Sequence, residues 1–149
     1  METLTTTFAK ESRLQFNPHD IYISTIEWLS ELEFSKTELS LLSKLLDKSF
    51  LRAHKQQEYC ELLRLDKRVK LFLNYTLRDM QRKIAEHEKH FVLLDENIFT
   101  QDEQFIHDEH KENESCLTEF RNDLNKLKNE LFHFVEGEWK SATTRNFAL

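Results

Sequence analysis

The sequence predicts an all-α fold, an antiparallel up-down-up bundle of three long helices, and three observations carry that prediction. The 149 residues include one Gly and one Pro. Sheets need frequent turns, and turns draw on those two residues, so a chain nearly without them is mostly helix. Apolar residues also recur at three-four spacing along three long seams separated by two short lapses. Finally, 39% hydrophobic and 32% charged residues suit helices that each bury one stripe and leave the rest to water.

Along the chain, residues 1–16 are Thr-rich and weakly patterned and read as a flexible N-terminal arm. Asn17-Pro18 marks a helix start, because Asn caps and Pro suits the first helical position. From there Ile21, Thr25, Trp28, Leu32, Ser35, Leu39, Leu42, Leu46, Ser49 and Ala53 hold the spacing without a slip. Ser35-Lys36-Thr37-Glu38 has the form of a capping box, which leaves a four-helix alternative with a break near Ser35. The unbroken seam and the lack of Gly or Pro favour one continuous helix. The first turn is expected between Arg52 and Gln57, where the apolar pattern lapses.

A second seam runs through Leu62, Leu65, Val69, Leu73, Leu77, Met80, Ile84, His87, Phe91 and Leu94. A third takes in Ile106, His110, Asn113, Leu117, Phe120, Leu124, Leu127, Leu131 and Phe134. Residues 95–102 form the natural reversal between them, with Thr100-Gln101-Asp102-Glu103 as another capping box. Gly137 reads as a helix stop, and residues 141–149 as a frayed tail. This gives a single helical-bundle domain over residues 17–140. Three helices of roughly 35 residues would each be about 50 Å long, and short turns make successive helices antiparallel neighbours.

Composition narrows the function classes. A formal charge of −6 argues against a sequence-independent grip on nucleic acid, which needs basic patches. Lys67-Arg68-Val69-Lys70 is a local cluster among acidic neighbours and reads as a solvated face. Cys60 and Cys116 stand far apart and fit no CxxC pattern, as expected of two partly buried thiols in a reducing compartment. No apolar run approaches the ~20 residues of a membrane span, and residues 1–10 lack the apolar core of a signal peptide. A cytoplasmic protein with no membrane and no nucleic-acid partner is the expectation.

Catalytic signatures are sparse. A single glycine rules out a Gly-rich phosphate loop and a nucleophile elbow. The reading therefore leans away from an enzyme, with no catalytic residue and no cofactor assigned. The seven histidines are more informative. His87-Glu88-Lys89-His90 and His107-Asp108-Glu109-His110 share one spacing, and within each pair the two rings lie on the same helix face. Facing residues of an antiparallel hairpin have numbers with a constant sum. His87 with His110 and His90 with His107 give the same sum, which places the reversal midway between Ile98 and Phe99. Four imidazoles then meet at one level, and four nitrogens at about 2.0–2.1 Å would hold Zn²⁺ or a similar divalent ion. Glu86 and Glu114 are auxiliary candidates, with Glu88, Asp108 and Glu109 available to orient the rings. Two plainer readings stand beside this one: solvated histidines near a helix end, or a hydrogen-bonded polar layer that fixes register without a metal.

Two further metal patterns are incomplete. Glu130-Leu131-Phe132-His133 matches one ExxH element where a di-iron bundle needs two with two more Glu. His54-Lys55-Gln56-Gln57-Glu58 has only part of a hemerythrin-like spacing. Among the aromatic residues, Phe34, Phe72, Phe99, Phe132 and Trp139 fall off the seams. Apolar surface left exposed by them would mark a partner or homo-oligomer face.

Several segments resemble a group of small uncharacterised bacterial long-helix bundle proteins. Trp28-Leu29-Ser30-Glu31-Leu32-Glu33-Phe34-Ser35-Lys36-Thr37-Glu38 is similar to their first helix. Ile84-Ala85-Glu86-His87-Glu88, His107-Asp108-Glu109-His110 and the block from Phe120 through Leu127, Glu130 and Phe134 to Trp139 share the likeness. It covers roughly residues 20–140, and implies a long-helix bundle with no established activity. Those proteins often carry a His near the start of the first helix and a Pro in the second loop, whereas this chain has Thr25 near the first place and no Pro in the second.

The expected function is thus that of a non-enzymatic cytosolic helical bundle acting through protein contacts. The alternative is a metal-binding bundle using His87, His90, His107 and His110, and a third class is an enzyme using that ion as a Lewis acid.

Overall fold

Asn17 caps the first helix as its sequence implies. Its side-chain oxygen accepts the His19 amide at 3.0 Å, and its carbonyl accepts the Ile21 amide at 3.1 Å. The computed structural model describes residues 17–95 and 103–147, with side chains for all of these except Asp95 and those beyond Gly137. The expected arm over residues 1–16, the reversal at Ile98 and Phe99, and the cap residue Thr100 lie outside the described residues.

Helix α1 spans Pro18–Arg52 without a break, so Ser35-Lys36-Thr37-Glu38 does not start a new helix. Ser35 is buried in the seam, and Glu38 pairs with Lys128 instead of capping. The chain turns at residues 53–55 and enters α2, Gln56–Leu71, followed by a π-helical turn, Phe72–Thr76, and α3, Leu77–Asp95. These three segments form one continuous helical run. Helix α4 spans Glu103–Phe147. Apart from the cap residue Asn17 and the short turn, every described residue is helical, and the fold is all-α.

The chain divides into two compact units, one formed by the chain up to Glu33 with Met80–Cys116, the other by Phe34–Asp79 with the chain from Leu117 onward. In the first, Tyr22 stacks on Phe91 and Gln81 meets Glu33, so α1 and α3 run in opposite directions. His90 against Phe105 and His87 against His110 show the same for α3 and α4. In the second unit, Arg68 meets Glu130 while Phe72 meets Phe120, which makes α2 and α4 antiparallel.

The seams read from the sequence are the core. Ile21, Thr25, Trp28, Leu32, Ser35, Leu39, Leu42, Leu46 and Ser49 of α1 are all buried, as are Ile106, Asn113, Leu117, Phe120, Leu124, Leu127 and Leu131 of α4. The hydroxyls on α1 enter the core at little cost because Thr25 donates to the Ile21 carbonyl at 2.7 Å and Ser49 to the Leu45 carbonyl at 3.2 Å. The second seam needs one correction. Phe72, not Leu73, is the buried residue, packed on Phe120 with ring centroids 5.1 Å apart. The cause is the π-helical turn. An extra residue there widens the spacing between buried positions to five, from Phe72 to Leu77, and so keeps Leu65, Val69, Leu77 and Met80 facing inward.

Gly137 does not stop α4, which continues to Phe147, through the tail expected to fray from Ser141. Glycine ends a helix by turning left-handed. Gly137 stays right-handed, and a Cβ placed on it meets nothing within 4 Å. Cys60 is exposed rather than partly buried, and Cys116 is half-buried. Among the described residues no helix is long and apolar enough to cross a membrane.

A glycine inside a helix costs about 0.5–1 kcal/mol relative to alanine. Gly137→Ala is therefore expected to stabilise the protein by up to that amount in urea unfolding followed by circular dichroism. A destabilised variant would mean that the glycine serves a conformation other than the helix.

Candidate functional site

In the first unit, α3 and α4 bring two of the four paired histidines, His87 and His90, onto one carboxylate, and a third, His110, onto His87. His87 lies on the α3 seam with no exposed surface. Burying a polar ring is tolerable only if its nitrogens are paired, and both are. Its Nδ1 lies 2.6 Å from Glu109 Oε1, and its Nε2 lies 3.0 Å from His110 Nδ1. His90, one turn on, places its Nδ1 2.8 Å from the other oxygen of Glu109. A carboxylate can only accept, so His87 and His90 each donate from Nδ1. His110 is clamped on its other side by Trp28 of α1, ring centroids 4.4 Å apart and nearly parallel.

This geometry bears directly on the hairpin register. His87 and His110 face one another as the constant-sum rule requires. His90 meets Glu109 and packs edge-on against Phe105. His107 is half-buried, with its Nδ1 3.8 Å from Asp108. The two auxiliary candidates, Glu86 and Glu114, are both exposed. Among the described residues no three His, Cys, Asp or Glu side chains are placed to hold a metal ion. What the structure assembles is a chain: His90 to Glu109, Glu109 to His87, His87 to His110, and His110 against Trp28. Of the three carboxylates expected to be available to orient the rings, Glu109 takes that role for both His87 and His90, whereas the role of the indole is one that spacing did not assign. Glu109 falls one residue before His110 and so points back toward α3 at the level of both His87 and His90. Trp28 appears in the sequence only as one more apolar seam position.

His110 is pushed down to about 4, first by burial and then by the nearby His87 and His107. It is therefore neutral at pH 7, and its Nδ1 can serve as partner to His87 Nε2.

The second unit carries different features. Glu130, the carboxylate of the ExxH pattern, is bound by the guanidinium groups of Arg68 and Arg64. The hydrogen bond from Arg68 is the main reason its carboxyl sits below the usual range. A carboxylate between two fixed cations is a poor metal ligand. The ExxH reading finds no support there.

The same unit exposes an apolar face. Glu38 of α1 and Lys128 of α4 form an ion pair at 3.2 Å, which identifies the sides of the two helices that meet. Phe34, Leu41 and Leu45 lie four before, three after and seven after Glu38, and Phe132 lies four after Lys128. All are on the same sides. They are 68%, 56%, 44% and 54% exposed. Off-seam Phe34 and Phe132 are thus surface residues, while off-seam Phe72 belongs to the core.

The lowered His110 value sets a pH dependence. In the unfolded chain this imidazole titrates near 6.5, and in the folded protein near 4. Between those values the unfolded state holds the extra proton, so stability falls as pH drops through that window. After discounting for the partial exposure of the ring, the loss attributable to His110 is about 1–2 kcal/mol. Denaturant unfolding at pH 7 and pH 4.5 should show His110→Gln losing less stability than the parent by roughly that difference. Parallel losses in the two proteins would contradict the assignment.

No family model matches the chain, and no curated protein or solved structure matches it.

Proposed function

We propose that this chain is a non-enzymatic helical protein that acts by contact with another protein, and that the partner is a second copy of itself. The observation that carries the reading is the exposed apolar face of Phe34, Leu41, Leu45 and Phe132 around the Glu38–Lys128 ion pair. Large apolar side chains clustered on a helical surface and rimmed by charge mark an interaction site. The face is self-complementary in charge, with one carboxylate and one ammonium. A two-fold axis through it lets Lys128 of one copy approach Glu38 of the partner subunit while the aromatic rings leave water. A unique partner protein would more simply present one sign of charge against the other.

A cytoplasmic location belongs to the same reading. It is supported by two cysteines that are both free, one of them exposed, as suits a reducing compartment.

Sedimentation and light scattering across a wide concentration range test the proposal. The parent is expected to move from monomer toward dimer as concentration rises. Leu41→Glu and Phe132→Glu, at exposed positions, should keep the helical spectrum with stability changed by no more than about 0.5 kcal/mol. Each should remain monomeric. A parent that is monomeric at every concentration, or variants that still dimerise, would sink the reading.

A further inference from the structure

Helix α1 is apolar on two opposite sides. Leu32, Leu39 and Leu46 recur at heptad spacing in the middle of its buried stripe. Phe34 and Leu41 recur at the same spacing, two positions on from Leu32 and Leu39 and so on the far side of the helix, and both are exposed. Glu27 and Lys48 extend that outward line by one heptad at each end, and both are exposed as well. Charge is segregated along the helix. From Pro18 to Phe34 it carries Asp20, Glu27, Glu31 and Glu33 with no Lys or Arg. From Ser35 to Arg52 it carries Lys36, Lys44, Lys48 and Arg52 against Glu38 and Asp47. An apolar centre with one acidic and one basic wing complements itself only when turned end for end.

We infer that two copies of the chain pair through α1 helices laid antiparallel, with Phe34 of each on the partner's Leu41 and Glu27 of each beside the partner's Lys48. The pairing rests on the self-association proposed above and gives it a register. Facing residues of an antiparallel pair have numbers with a constant sum. One sum serves Glu27 with the partner's Lys48, Glu31 with the partner's Lys44, and Phe34 with the partner's Leu41. The two-fold axis then passes between Thr37 and Glu38, so Glu38 and the Lys128 bound to it stand beside the axis. A slip of one heptad sets Phe34 against the partner's Lys48 in one direction and Leu41 against the partner's Glu27 in the other. Each slip desolvates a charge against an apolar side chain. A parallel pairing sets Glu27 against the partner's Glu27 and Lys48 against the partner's Lys48, and like charges repel.

The test uses the full chain. Sedimentation equilibrium of the parent, Glu27→Lys, Lys48→Glu and the double variant reads the register in charge. Each single reversal places like charges together twice per dimer and is expected to weaken self-association roughly 10-fold. The double reversal should restore the parent's affinity, and all four proteins should keep the helical spectrum. Glu27→Cys and Lys48→Cys, each with Cys60→Ser and Cys116→Ser, read the register in space. Mixed under mild oxidation, the two chains should join to one another. Either alone should not, because like positions lie roughly 30 Å apart along the pair. If the parent dimerises while the double reversal is no tighter than the singles, or while Lys48→Cys chains join to each other, the register is overturned and self-association stands. A parent that stays monomeric overturns both.

Discussion

A fully buried imidazole needs a partner at each ring nitrogen, and the antiparallel register of α3 on α4 is what provides both for His87. Glu109 meets one nitrogen and His110 the other. A slip of one residue on either helix turns its side chains by about 100°. Glu109 would then leave His87, and an unpaired ring would stand in the core at a cost of roughly 1–3 kcal/mol. The apolar residues around it tolerate exchange among similar shapes far better. The polar chain from His90 to His110 thus selects one alignment among several that would bury comparable hydrocarbon. Trp28 extends the constraint to α1 by packing flat on the last ring of the chain.

The spacing motifs acquired their meaning from the charges set against them. HxxH and ExxH are alike as patterns. On α3, the first is met by a carboxylate from the facing helix and becomes part of a hydrogen-bonded core. On α4, Glu130 is met by Arg64 and Arg68 and becomes an ion pair near the surface. Glu38, placed by its spacing in a capping box, is met by Lys128 and marks the border of an apolar face. In all three cases the neighbouring helix assigned the role.

Local periodicity was legible because a helix repeats itself every few residues. The first and third seams could be copied from the sequence almost residue for residue, and so could the cap at Asn17. The second seam was legible except at Leu73 and Phe72. A π-helical turn inserts one residue into the period, and nothing in Phe72-Leu73-Asn74-Tyr75-Thr76 announces it. It arises because packing on Phe120 and the continuing stripe at Leu77 and Met80 outweigh the preference for regular winding. Gly137 was misleading for a related reason. Glycine permits a left-handed turn without requiring one.

The sequence by itself determined that this protein is all-α, where its first helix begins, which stripe of each helix is apolar, and that His87 and His110 would share a level. Those are consequences of near-neighbour spacing, which the chain carries in its own order. Only the tertiary structure decided that His90 shares Glu109 with His87, that Trp28 caps His110, and that Phe34 and Phe132 face outward while Phe72 faces in. Each depends on which side chain another helix presents across a few ångströms, and residues far apart in the chain enter that contact only after the helices have packed.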